Sequence, residues 1–457
     1  MLHVCTVRDP SGAYYLGQER AAVEGARWFG RGASGLNLTG PVSPTALART
    51  LRGEGPNGGR LTAPHAVRAY DLVFTAPKSV SLAWGLGGAA IEEAVRVSHA
   101  EAWAAAAGYL TERAVAVRRA SGTDRHLVPV EGIVAAAFTH RESRAGDPHL
   151  HTHLVVANLA RGTDGRWSAL DGRGLYAHAC AAGALYGSQL RRALTDRLGV
   201  EWVRTGAGRP EIAGVDPVAI GGFSSRSAEI RAELAVRGSH SNTARRMAWA
   251  VTRDVDPSAL VPAGDRGDRW RRRAVRLGVA AVAVAGVPSR IAVPAAVEEH
   301  RLAAALHRAG DAPRRRHLVA AWADAVLPGA TAASVLDCID RIAPPLGLGV
   351  AEPVLEGRTV PAPHLLRALG PRPADPGHLD VWYRGATAVD RYRARWGVTT
   401  AEPLGLEDDR RLVTLSSARL ASHLEAARCV EEVRRLLGRP VGREPPGPER
   451  GRGIGLG

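Results

Sequence analysis

The chain has 457 residues, too many for one ordinary core and enough for two or three units of typical domain size. Hydrophobic residues make up 45% and charged residues 23%, the proportions of a globular chain able to bury a sizeable core, which excludes gross disorder. With 60 basic against 45 acidic residues the net charge is +15, which points to a polyanionic partner, either nucleic acid or an anionic membrane surface. Cys5, Cys180, Cys338 and Cys429 are too far apart for a zinc pair and too few to staple a chain of this length, so a reducing cytoplasm fits. Residues 1–9 lack the pattern of a secretory signal, and the longest apolar run, 277–287, is too short to cross a bilayer. The expectation is a cytoplasmic chain that is not inserted into a membrane.

Up to about residue 290, short β-branched segments alternate with longer amphipathic ones, and Tyr, His and Lys cluster. The turn signal Asp9-Pro10-Ser11-Gly12 leads into the adjacent pair Tyr14-Tyr15. Residues 70–81 read as a strand opening with a carboxylate, with 73–76 in it, then a proline at a helix start and a short helix. Apolar residues at helical spacing predict helices over 89–120 and 175–198. Between them, 132–138 reads as a strand that runs to His140, followed by the turn-like Ser143-Arg144-Ala145-Gly146. A further strand carries His149, His151 and His153 into Leu154-Val155-Val156-Ala157. The basic run 266–276, with Trp270 and three consecutive arginines, closes this half. Beyond it, 297–308 and 416–437 are helical in period and are separated by Pro-rich stretches such as 371–376. The expected organisation is an α+β domain over 1–290, a mostly helical accessory domain over 291–438 and a disordered tail over 439–457.

On a strand, side chains at i, i+2 and i+4 share a face, so His149, His151 and His153 project together. Neutral imidazole is the commonest nitrogen ligand for a divalent metal, whereas packing so many histidines makes little sense for a core. A hairpin through 143–146 brings His140 beside His151. Two neighbouring strands then supply three ligands and leave open positions, as a catalytic metal site requires. The phenols of Tyr14 and Tyr15 have ordinary pKa values of about 10 and need a base or a polarised electrophile to act as nucleophiles. Lys78 is the only lysine in the chain, and its compact ammonium suits a phosphate. Asp71 is either a surface acid or a partner that fixes an imidazole or accepts the tyrosine proton. The bland alternatives are a packed tyrosine pair, a run of exposed histidines and an incidental lysine.

A set of motifs in fixed order extends these readings. It runs from Tyr14-Tyr15 through Trp28-Phe29-Gly30-Arg31-Gly32-Ala33 with Gly40, then Tyr70-Asp71 to Ser81, and then His140 with His151 and His153. It continues through Asp164-Gly165-Arg166-Trp167-Ser168-Ala169-Leu170-Asp171 and Leu175-Tyr176 to Phe223-Ser224. Over about the first half of the chain this order resembles the relaxase domain of the MobF family, the conjugative relaxases of TrwC and TraI type within the HUH endonuclease superfamily. The resemblance implies a central antiparallel sheet that carries the histidines and is flanked by helices, with the tyrosines on an N-terminal helix above a metal. It implies the ligand set His140, His151 and His153 and leaves His149 out, a choice that strand spacing alone does not make. The implied cofactor is a divalent cation, Mg²⁺ or Mn²⁺, although three histidines also accept zinc. Tyr14 would be the leading nucleophile with Tyr15 as its neighbour, Asp71 would orient a ligand histidine or take a proton, and Lys78 and Arg144 would lie near the DNA backbone.

The activity implied is site- and strand-specific nicking and rejoining of single-stranded or hairpin DNA at a transfer origin, through a 5′-phosphotyrosine link. Two departures from the family pattern stand out. Residues 20–27 hold no second tyrosine, so completing strand transfer would fall to Tyr15 or to a second molecule. No G-x-x-x-x-G-K-[ST] loop occurs, so unwinding would fall to a separate helicase acting with the conjugation machinery. Two rival readings share the same residues: a rolling-circle replication initiator with related chemistry, and a decayed relaxase that only binds single-stranded DNA. Retention of the tyrosine pair, the three histidines and Asp71 together favours an enzyme.

Overall fold

The computed structural model describes residues 1–15, 25–121, 124–204, 208–238, 266–279, 314–342, 363–370 and 417–438, with separate residues between 373 and 404. The expected helix at 297–308, the expected domain break at 290 and the tail at 439–457 lie outside these residues. Two compact units are present, one of residues 1–119 and 127–356, the other of 120–126 and 357–457.

The first unit opens with β1 (Leu2–Val7), β2 (Arg27–Phe29), α1 (Arg31–Gly35) and α2 (Pro44–Leu51). Next come β3 (Ala69–Thr75), α3 (Lys78–Leu86) and the long α4 (Ala89–Arg113). The strands β4 (Ala116–Ser121) and β5 (Asp124–Pro129) pair with each other. They are followed by β6 (Ala135–Glu142), β7 (Pro148–Ala157), the short pair β8 (Ala160–Arg161) and β9 (Trp167–Ser168), and α5 (Arg173–Leu198).

A five-stranded sheet in the order β1-β3-β7-β6-β2 organises this unit, and every pairing in it is antiparallel. The fold is therefore α+β, with a central antiparallel sheet flanked by helices and a helical C-terminal region. Alternation along the strands separates the two faces of the sheet. Leu72, Phe74, Leu150, Leu154 and Val156 share one core with Val80 and Leu82 of α3, Val95 and Ala106 of α4, and Leu185 and Tyr186 of α5. Each fully buried Leu or Phe there contributes about 1.5–3 kcal/mol relative to exposure. The opposite, front face holds a smaller cluster in which Ala136, Phe138 and Val155 meet Tyr15, Leu47 and Leu51. Close backbone approach explains part of the glycine pattern after β2. A Cβ on Gly32 would lie 2.8 Å from the carbonyl oxygens of Gly132 and Ile133, so a side chain there would push α1 off the segment that leads into the strand of His140.

The helix expected over 89–120 stops at Arg113. Ala114 closes it onto the Leu110 carbonyl, and Val115, Ala116 and Val117 pass into β4, where Val117 bridges to Leu170. The β-branched valines fit the strand, and tertiary pairing overrides the helical period carried over from the alanine-rich stretch before them.

Farther on lie β10 (Trp202–Arg204), β11 (Pro210–Ile212), α6 (Pro217–Gly222), α7 (Ser225–Arg237) and α8 (Arg266–Arg276). The helices α9 (Arg315–Ala325) and α10 (Ala332–Ile342) also belong to the first unit. They are tied to α5 where Arg191 donates to the carbonyls of Ala323, Val326 and Leu327 and Ser188 bonds Ala330. The first unit thus extends past residue 290. The second unit contains α11 (Pro363–Leu369) and α12 (Ser417–Leu436), the latter close to the helix expected over 416–437. Its core gathers Leu365, Leu369, Trp382, Val389 and Val433. Among the described residues, no helix is long and apolar enough to cross a membrane.

Candidate active site

The β6–β7 hairpin places the histidines. Its turn is closed by hydrogen bonds between Ser143 and Asp147 and between Gly146 and Ser143, with Gly146 at φ +72, a left-handed position that glycine adopts without strain. This closure sets His140 directly opposite His151, and His153 follows two residues on along the same face. The ring centroids of His140, His151 and His153 are 4.9–5.2 Å apart, and one ligand atom from each lies within 4.8 Å of the others. Among the described residues this is the group of His, Cys, Asp or Glu side chains able to hold a metal ion.

The hydrogen bonds fix which nitrogen each ring can offer. Nδ1 of His151 lies 2.9 Å from the His149 carbonyl oxygen, which can only accept, so Nδ1 carries the proton and Nε2 keeps its lone pair. Nδ1 of His153 lies 2.8 Å from Oδ2 of Asp71, with the same result. Nε2 of His140 is buried and has no hydrogen-bond partner. The residues present therefore fit a divalent cation. Burial pulls the pKa values of His140 and His149 down to about 3, helped by neighbouring positive groups, and also pulls His151 well below its ordinary value. All three stay neutral at neutral pH, the form that binds a metal. His149 shares the face, with its ring 4.7 Å from that of His151, but it falls outside the ligand group.

Residues 13–15 form a helical turn in front of this cluster. Asp9 accepts hydrogen bonds from the backbone and hydroxyl of Ser11, and the Ser11 hydroxyl accepts the Ala13 N–H, so the turn is seeded by side chains just before it. The two tyrosines then diverge. Tyr15 is 4% exposed, stacks on Phe138 at 5.3 Å, and donates its hydroxyl to Oδ2 of Asp71 at 3.1 Å. Burial, and then the charge of Asp71, raise its pKa well above the ordinary phenol value, so it stays protonated. Tyr14 is 39% exposed, and its ring centroid is 6.1 Å from that of His153. Asp71 is buried against Tyr15. One of its oxygens receives both Tyr15 and His153, and the other, Oδ1, is buried without a partner. The structure thus brings Tyr14, Tyr15, Asp71, His140, His151 and His153 together on one face.

Lys78 and Arg144 occupy different surroundings. The Lys78 ammonium donates to the Pro148 carbonyl at 2.8 Å, tying the start of α3 to the start of the histidine strand, and desolvation lowers its pKa. Arg144 sits half-buried in the hairpin turn. The basic run 266–276 forms α8, three of whose six arginines, Arg266, Arg269 and Arg273, are turned to internal work, while Arg271, Arg272 and Arg276 are exposed. Arg269 pairs with Glu142 in a short charge-assisted contact, Arg266 lies 3.3 Å from the same carboxylate, and Arg273 pairs with Asp147 at 2.9 Å. Trp270 donates to the Gly146 carbonyl. Sequence reasoning passes over Glu142 and Asp147, whose signal was two acids flanking the turn between histidine strands.

An exposed phenol beside three clustered imidazoles, with a buried carboxylate bonded to one of them, is an arrangement suited to metal-assisted attack by an oxygen nucleophile. The chain is 33% identical over 251 residues to the multifunctional conjugation protein TraI of Escherichia coli K12, and 34% identical over 239 residues to a second Escherichia coli TraI. Those matches cover 50% and 48% of this chain but only 14% and 13% of the relatives, so the chain spans a small part of their length. Among solved structures it resembles the conjugative relaxase TrwC bound to origin-of-transfer DNA in a copper-bound form, with a TM-score of 0.56 and 25% identity over 61% of this chain and 99% of that one. A metal-bound form gives a TM-score of 0.55 and 27% identity over the same shares. TrwC with a 27-mer comprising the recognition hairpin and the cleavage site gives 0.54 and 28%, again over 61% and 99%. A family model described as TrwC relaxase matches residues 4–277, a stretch that takes in the sheet, the histidine hairpin and the tyrosine turn. With more than half of its length so matched, this chain belongs to the TrwC relaxase family.

Proposed function

We propose that this chain nicks one strand of DNA and rejoins it by transesterification, with Tyr14 as the nucleophile and a divalent cation held by His140, His151 and His153. The observation that carries the reading is the exposed Tyr14 ring 6.1 Å from His153, at the edge of a three-histidine cluster in which one ligand atom of each ring lies within 4.8 Å of the others and the His140 Nε2 is buried without a partner. When bound, such a cation would polarise the scissile phosphate and stabilise the charge that builds on its oxygens.

The chain's own groups account for the rest. The Tyr14 oxygen attacks phosphorus as its proton leaves, the bond from phosphorus to the 3′-oxygen breaks, and that oxygen departs as a 3′-hydroxyl. The 5′-phosphate remains esterified to Tyr14. One ester is exchanged for another, so attack by the 3′-hydroxyl in reverse reseals the strand without ATP. Asp71 holds His153 in the tautomer that presents Nε2. Tyr15 is committed to Asp71 and kept protonated, which favours a second molecule over Tyr15 for a second strand transfer. The substrate we propose is single-stranded or hairpin DNA at a transfer origin, the kind of DNA named in the solved relatives. Mg²⁺ or Mn²⁺ is the proposed cation, and a separate helicase and the conjugation machinery are the proposed partners.

The test is incubation with labelled single-stranded oligonucleotides tiled from DNA next to the gene, with Mn²⁺, followed by a denaturing gel. A covalent protein–DNA band that disappears in Tyr14→Phe and with EDTA is expected. Tight DNA binding with no band on any oligonucleotide would overturn the proposal.

A further inference from the structure

Behind the histidines, on the helix-covered face of the sheet, runs a chain of buried polar groups that the chemistry above does not use. Thr152 lies between His151 and His153 but points to the opposite face, where it is fully buried. Its Oγ1 is 2.9 Å from Oγ1 of Thr139, its cross-strand partner and the residue before His140. The same Thr152 oxygen is 2.8 Å from Nε2 of His99 on α4, and Nδ1 of His99 is 2.9 Å from the Tyr186 hydroxyl on α5. His99 and Tyr186 are buried as well.

The hydrogens close along this chain. A neutral imidazole has one donor and one acceptor nitrogen, and each hydroxyl has one proton to give. Tyr186 donates to His99, His99 donates to Thr152 and Thr152 donates to Thr139, or every bond reverses together with the other tautomer. Burial keeps His99 neutral, with its pKa lowered to about 3. An apolar core has no need of such a chain, because valine, phenylalanine and leucine would fill the same space without buried polar groups. What the polar chain adds is direction. It ties the cross-strand pair Thr139–Thr152, next to the His140–His151 pair, to two helices in one geometry, and it opposes any slip of β6 against β7.

We infer that His99, Tyr186, Thr152 and Thr139 are positioning residues that set the His140 imidazole against His151 and His153 from behind. The inference rests on the metal-site reading proposed above. It is tested on the full chain with Co²⁺ as the probe, by measuring affinity and the visible d–d absorption spectrum, alongside thermal unfolding of the metal-free protein. Thr152→Val removes the central hydroxyl and keeps the shape. Because Thr152 acts one step behind the ligands, the substitution should weaken Co²⁺ binding by about threefold, less than the roughly tenfold or more that follows loss of a group bonded to the ligand itself, and should shift the d–d bands. Thr152→Ser should restore both. Tyr186→Phe, which deletes one terminal oxygen, should produce a smaller change in the same direction and decides the matter if the valine variant does not fold. A merely structural role would lower the unfolding temperature and leave the spectrum alone. Folded variants with unchanged affinity and spectrum would overturn the inference. If the unsubstituted chain fails to bind Co²⁺, the metal-site reading itself falls, and this inference with it.

Discussion

The two faces of the central sheet treat polar groups in opposite ways. On the back, the Tyr186–His99–Thr152–Thr139 chain is closed, each link made by a partner inside the protein. On the front, His140 Nε2 and Asp71 Oδ1 are buried and left without partners, although burying such atoms unpaired costs about 1–3 kcal/mol each. The same two strands serve both faces, so the open atoms on the front do not reflect a region unable to satisfy them. On the metal-site reading proposed above, the buried His140 nitrogen is the one the cation would use.

The contrast can be broken most sharply at the nucleophile. Tyr14→Phe should lower covalent DNA adduct by at least about a thousandfold, the scale of a lost nucleophile, while DNA binding measured by fluorescence anisotropy stays near its original strength. Tyr15→Phe, by contrast, should still give adduct on the same gel, at a reduced rate. Equal loss in the two variants would mean that the exposed and buried tyrosines do not divide their roles as described.

Asp71→Asn comes next. It should weaken Mn²⁺ binding by about 10- to 100-fold, as seen when the carboxylate behind a ligand histidine is lost, and titration of Mn²⁺ followed by electron paramagnetic resonance measures it. An unchanged affinity would show that the Asp71–His153 contact does not prepare the ligand.

Acid sharpens the comparison from a different direction. His99, His140 and His149 have folded-state pKa values lowered to about 3 from 6.5. The unfolded chain binds protons that the folded chain cannot, so their stabilising share is full above pH 6.5 and is lost as pH falls from there towards 3. Each such histidine adds a slope of about 1.4 kcal/mol per pH unit. Urea midpoints of the metal-free protein at pH 7 and pH 5 should therefore fall steeply with acid, and His99→Gln should flatten the slope by one histidine's share. A flat profile would show that these rings are free to protonate in place.

The smallest effect is expected at the tip of the hairpin, away from both faces. Glu142→Gln removes the charge that meets Arg266 and Arg269, and should cost about 1–3 kcal/mol, seen as a lower unfolding temperature with Mn²⁺ affinity nearly intact. A loss of metal affinity larger than the loss of stability would place α8 in direct control of the site.

Much of the front face is legible in the sequence. Alternation over 149–153 puts three imidazoles on one side, and the turn-like 143–146 predicts the hairpin that brings up His140. Alternation cannot say that His149 falls outside the ligand group while its carbonyl bonds His151, because that depends on side-chain rotation. The back face is nearly silent in sequence. His99 is a lone histidine in an alanine-rich helix, and Tyr186 comes 87 residues later, so only the packing of α4 and α5 on the sheet makes them a pair. The single lysine stood out for its rarity, yet rarity says nothing about direction, and its ammonium turns inward to the Pro148 carbonyl. The end of α4 is misread for a similar reason: a helical period cannot see that Val117 will find Leu170.

The hairpin has a further consequence, for the order in which the site comes into being. His140 and His151 are brought opposite each other by one short turn, so little chain entropy is lost in bringing them together, and isolated hairpins close in about 1–10 microseconds. Tyr15 and Asp71 meet across 56 residues, and Asp71 and His153 across 82. The hairpin can therefore pair two imidazoles as soon as residues 135–157 are free to fold, whereas the contacts of Asp71 with Tyr15 and His153 close much longer loops. Any cation captured at that stage favours the hairpin by mass action and biases the sheet toward its native register. On the proposed reading, the imidazoles that would hold the cation come together locally, and the contact of Tyr15 with Asp71 that completes the site is made only when distant segments dock.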